Sequence, residues 1–71
     1  MMDYKEFRET VIKTLVKERW SNAEDVRQYV SENEDWVQRD YAAAVKKYKN
    51  GEDKAIHYAL NSLISCMQLD F

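Results

Sequence analysis

His57 and Cys66 are the single histidine and the single cysteine of this chain, and a thiol beside an imidazole is a nucleophile–base pair. Their spacing works against that chemistry. Both fall in one helix-patterned segment, nine positions apart. Nine steps of about 100° put them on opposite faces of the helix. Plainer roles are expected. Cys66 stands next to an apolar stripe, where a small core or half-buried residue belongs. His57 shares a helix face with Asp53 and Asn61, four residues to either side, as a surface histidine beside a carboxylate would. A metal centre needs three or four ligands, which one histidine and one cysteine do not supply. No metal, cofactor or catalytic residue is expected, and the chain reads as a non-enzyme.

Two charge clusters could do other work. Between positions 24 and 35 lie Glu24, Asp25, Glu32, Glu34 and Asp35 against Arg27 alone. Carboxylates at helix starts complement the helix dipole, and the same cluster could steer a basic partner. Paired acid–base carboxylates would need a pocket, and so small a helical chain has little room for one. Lys46, Lys47, Lys49 and Lys54 surround Tyr48. Lysines with an interleaved aromatic can hold phosphates and stack a base, but lysines also suit the negative end of a helix. A helix-turn-helix over 21–49, turning at Asn33 to Asp35, would place Asp35, Trp36 and Val37 where a recognition helix meets phosphate, and that start is acidic and apolar.

The nine aromatic residues are more than one thin core is expected to hide. Phe7, Tyr41 and Tyr48 fit the core. Trp20 and Trp36 lie at expected helix boundaries, Tyr29 and Trp36 are seven apart on one flank, and Tyr58 lies on the flank of the last helix away from its core. Tyrosine and tryptophan are enriched in interface hot spots. Tyr29, Trp36 and Phe71, with Trp20 and Tyr58, are therefore the candidate protein-interface residues.

These residues must be positioned by helices. The chain has no proline and one glycine, Gly51, and its apolar residues recur at spacings of three and four, the repeat of a helix face. The first helix should run over about 3–19, with Tyr4, Phe7, Val11 and Leu15 in one stripe widened by Ile12 and Val16. Ser21 followed by Glu24 has capping-box spacing and predicts a second helix over about 22–31, with Ala23, Val26, Tyr29 and Val30 inward. Ser31 and Glu34 repeat that spacing and predict a third over about 34–50. The alternative is one continuous helix over 22–50, because Val26, Val30, Val37, Tyr41, Ala44 and Tyr48 stay in phase. It would be about 43 Å long and would overhang its neighbours. Asn50–Gly51 is the clearest stop. The last helix should span about 53–69, with Ile56, Ala59, Leu60, Leu63, Ile64 and Met67 inward. Ala42, Ala43 and Ala44 thin one helix enough for another to approach closely.

The fold expected is all-α: one domain, a compact bundle of three to four antiparallel helices. Seventy-one residues support only a thin core, so helix packing or self-association must stabilise it. A lone cysteine and a start with no basic region followed by an apolar one point to the cytoplasm. No apolar run is long enough to cross a bilayer. With 11 basic and 13 acidic residues the net charge is −2, which argues against a dedicated nucleic-acid or membrane binder. The expectation is a small protein–protein interaction module, an adaptor or inhibitor, docking an aromatic-rich helical face onto itself, as a homodimer, or onto another protein. Its size would also suit a phage or mobile-element product that blocks a larger host protein. The alternative is a small nucleic-acid-binding regulator using Lys46, Lys47, Tyr48, Lys49 and Lys54. No small-molecule substrate is expected.

Overall fold

Asp3 opens the first helix: its carboxylate Oδ1 accepts from the Glu6 amide at 2.8 Å, satisfying one of the free donors of the first turn. In the computed structural model, which describes residues 1–19 and 22–70, four α-helices follow in order. They are α1 (Tyr4–Arg19), α2 (Ala23–Glu32), α3 (Glu34–Lys49) and α4 (Ala55–Asp70). There is no strand among the described residues, and the chain is an all-α bundle as its periodicity predicts. Ser21, Trp20 and Phe71 lie outside the described residues.

The caps differ from expectation by small steps with clear causes. At α2 the cap is Asn22, whose extended backbone lets its side chain accept from the Asp25 amide at 2.9 Å. Glu24 therefore sits in the first turn of a helix capped by Asn22. The second expected box does not form. Ser31 lies inside α2, and its hydroxyl receives Arg8 Nη2 at 3.0 Å, while Glu34 turns to α1. The break between α2 and α3 is instead made by one residue, Asn33. Its amide donates back to the Tyr29 and Val30 carbonyls, and its own carbonyl accepts from Trp36 and Val37. Its side-chain Nδ2 donates to the Tyr29 carbonyl at 2.9 Å. An asparagine that bonds its own neighbouring backbone competes with the helix ladder, so the 22–50 segment is two helices rather than one.

The end of α3 is a Schellman turn. Gly51 donates to the Tyr48 carbonyl at 3.0 Å and Glu52 to the Lys47 carbonyl at 3.1 Å. Gly51 has φ +98°, a conformation that costs a side-chain-bearing residue about 1 kcal/mol or more. After it, Glu52 to Lys54 form a turn and α4 begins at Ala55, two residues later than the pattern suggested. Asp53 therefore lies outside the helix, and helical spacing does not bring it to His57.

Phe7, Val11, Ile12 and Leu15 of α1, Val26 and Val30 of α2, Val37 and Ala44 of α3, and Ile56, Leu60, Leu63, Ile64 and Met67 of α4 form one core. No polar side chain is buried among the described residues. The most extensive packing is between α3 and α4, which the thin Ala44 position allows. Two inward expectations fail: Ala23 and Cys66 are exposed.

Candidate docking face on helices three and four

Polar contacts between helices set which side chains remain free. Arg8 on α1 places Nε at 2.9 and 3.1 Å from the two Glu34 carboxylate oxygens, and the Tyr4 hydroxyl donates to the same carboxylate. Burial, and then this bond to Glu34, push the Tyr4 hydroxyl up to about 12, because ionising it would strand one negative charge beside another. Arg27 grips Glu9 in a two-pronged pair at 2.8 and 3.1 Å, and that bond holds the Glu9 carboxyl below its ordinary range. Tyr41 donates to the Met2 carbonyl at 2.8 Å. Its ring meets Tyr4 and Phe7 edge-on, with centroids 5.5 and 5.2 Å apart. Such pairs contribute beyond their buried area.

This packing absorbs most of the aromatic surplus. Tyr29 is half-buried against the core and its hydroxyl donates to Asp70 Oδ2 at 2.7 Å. Burial and the adjoining carboxylate raise its pKa strongly. Trp36, Tyr41 and Tyr48 are likewise half-buried and packed on the core. Tyr58 is the one described aromatic that stands out, 74 % exposed. The structure therefore does not gather Tyr29, Trp36 and Tyr58 into one open aromatic face. Of the acidic set, Glu24, Asp25, Glu32 and Asp35 are exposed, whereas Glu34 is half-buried and held by Arg8 and Tyr4. Of the basic set, Lys46, Lys47, Lys49 and Lys54 are exposed and Tyr48 is not, so the tyrosine is poorly placed to stack a base. Nor is there a helix-turn-helix turn over Asn33 to Asp35: Glu34 and Asp35 already belong to α3, leaving Asn33 alone as the junction.

An open surface exists elsewhere, on α4. From Ala55 to Leu69, fifteen residues, there is no Asp, Glu, Lys or Arg, in a chain where 34 % of residues are charged. Surface helices ordinarily carry their charges on the wet side. The wet side of α4 carries Tyr58, Ser62, Ser65 and Leu69, which fall within about 60° of one another round the helix. Leu69 is 91 % exposed, and with Tyr58 it supplies two of the three large exposed apolar side chains described. The uncharged run was visible in the sequence; that its outer side stays uncovered was not.

Beside this stripe, between α3 and α4, runs a half-open groove of about 430 Å³. Ala43, Ala44, Ala55 and Ala59 line it, and Asp40, Lys47 and Tyr58 border it. Tyr58 also borders a second hollow of about 420 Å³ with Lys54, His57 and Asn61, so it forms a ridge between two depressions. Among the described residues no three His, Cys, Asp or Glu side chains converge as metal ligands, and no helix is long and apolar enough to cross a membrane. Comparison with protein families, with curated proteins and with solved structures finds no match to this chain.

Proposed function

We propose that this protein is a small, non-enzymatic protein–protein interaction module, an adaptor or inhibitor, that docks through the outer face of α4 and the adjoining groove. The observation that carries this reading is the uncharged wet side of α4, with Tyr58 and Leu69 held out in solvent. Exposed apolar side chains grouped on one surface mark interaction sites, and grooves flanking a tyrosine ridge suit the side chains of a packed partner. The single, exposed thiol of Cys66 fits work in a reducing, cytoplasmic compartment.

Cys66 also supplies the test, since it lies on α4 and is the chain's only thiol. A thiol-linked photo-crosslinker placed there should yield a protein adduct in a native lysate or with the chain itself. The adduct should vanish when Tyr58→Ser and Leu69→Ser are combined and persist with Lys17→Ser on α1. An adduct indifferent to the α4 substitutions, or no protein adduct, would show that this face docks nothing.

A further inference from the structure

Resting on the interaction reading, we infer that the occupant of the α3–α4 groove is a second copy of this chain, packed antiparallel about a twofold axis that crosses α3 between Ala43 and Ala44. The charge pattern of α3 selects this arrangement. Trp36, Asp40, Ala43 and Lys47 lie within about 60° of one another on one side of the helix, with the exposed, small Ala43 between an acid and a base. Asp40 stands three and a half positions before the midpoint of Ala43 and Ala44, and Lys47 three and a half after it. Turning a second α3 antiparallel over the first lays each Asp40 against the partner's Lys47, forming two equivalent ion pairs. A twofold contact requires just this self-complementarity, in which one surface patch serves both partners. A parallel pairing in register would set Asp40 against Asp40 and Lys47 against Lys47, and like charges facing across an interface are strongly disfavoured.

The groups at hand are available for the exchange. Lys47 is exposed and makes no ion pair among the described residues, and Asp40 has only a long 3.7 Å approach from its exposed neighbour Arg39. Ala43 lets the two α3 axes come close. Tyr58, which borders the same groove, then meets the partner's surface and leaves water. The bundle measures 37 × 19 × 19 Å, so a contact of the ~800 Å² per partner that a standard interface takes would engage the whole of one long side, the outer faces of α3 and α4 together.

The test is solution mass, by light scattering on a sizing column and by sedimentation, over a range of concentrations. The native chain should be a dimer. Asp40→Lys and Lys47→Glu, each alone, place like charges at both ends of the contact and should weaken self-association by about tenfold or more. Mixing the two variants in equal amounts should restore a dimer, since each then offers what the other lacks, and the double variant Asp40→Lys/Lys47→Glu in one chain should dimerise again. Recovery on mixing also shows that neither variant had failed to fold, which far-UV circular dichroism checks separately. A native chain that stays monomeric at every concentration overturns self-pairing. The interaction reading then stands only if the Cys66 cross-link still captures another protein in a Tyr58- and Leu69-dependent way. A dimer indifferent to both charge reversals overturns this mode of pairing.

Discussion

Leu63 and Leu69 lie on the same helix, six residues apart, and substituting each by alanine separates the covered from the open side of α4. Leu63 is 1 % exposed and belongs to the central core; Leu69 is 91 % exposed. Leucine and alanine are both strong helix formers, so the contrast reports surroundings rather than propensity. Truncating Leu63 removes its transfer energy and leaves a cavity that neighbours fill only partly, a cost of about 3 kcal/mol within the ~2–5 kcal/mol range of such changes. Truncating Leu69 removes atoms already in water and should stay within ~0.5 kcal/mol. A domain of this length has roughly 4–10 kcal/mol to lose, so Leu63→Ala should still fold, at the edge. The assay is urea unfolding followed by far-UV circular dichroism, at protein concentrations low enough to keep the chain monomeric. With a slope of about 1 kcal/mol/M for so small a chain, Leu63→Ala should lower the midpoint by about 3 M and Leu69→Ala by less than about 0.5 M. A large loss on Leu69→Ala would mean that its side chain is covered within the monomer. The open face of α4, and the function proposed for it, would go with it.

Three further outcomes are expected. A double-mutant cycle on Arg8→Ala and Glu34→Ala should give a coupling of about 1 kcal/mol, because Arg8 Nε reaches both Glu34 carboxylate oxygens and the side chains are only 23 % and 31 % exposed; strictly additive losses would mean the pair contributes nothing. Raising pH should destabilise the fold on the alkaline side. Tyr4 is pushed to about 12 in the folded chain from 10.0 and Tyr29 is raised as well, so the native state holds these protons more tightly than the unfolded one. Their contribution is intact below about pH 10 and is lost as pH rises toward 12. Urea titrations should show this fall shrinking in a Tyr4→Phe/Tyr29→Phe variant, and an unchanged fall would refute the assignment. Gly51→Ala should cost about 1–2 kcal/mol by thermal or urea unfolding: a Cβ there meets nothing within 4 Å, so the loss would come from φ +98° alone.

Much of the architecture is local and so can be read from the chain. The stop at Gly51 needs one glycine and the carbonyls just before it, and the apolar stripes of α1 and α4 repeat every three to four residues. The uncharged run from Ala55 to Leu69 is also plain in the sequence. The capping boxes misled because neighbouring asparagines make the junctions: Asn22 caps α2 through its side chain, and Asn33 separates α2 from α3 with no side-chain cap while Ser31 accepts from Arg8. Glu34 looked like a helix-start carboxylate or a steering charge. It does stand in the first turn of α3, but it is also held by Arg8 and Tyr4, 26 and 30 residues away in the chain, and no local pattern encodes that meeting.

Exposure divides along the same line. Periodicity says which residues share a side of a helix, and the sequence alone therefore established the all-α class and three to four amphipathic segments in order, leaving open whether 22–50 is one helix or two. It could not say which sides another helix would cover. Tyr29 and Trp36 became half-buried because neighbouring elements reached them, while Cys66, Tyr58 and Leu69 stayed in water because nothing did. Burial is a property of pairs of elements distant in sequence, and it exists only once they have packed.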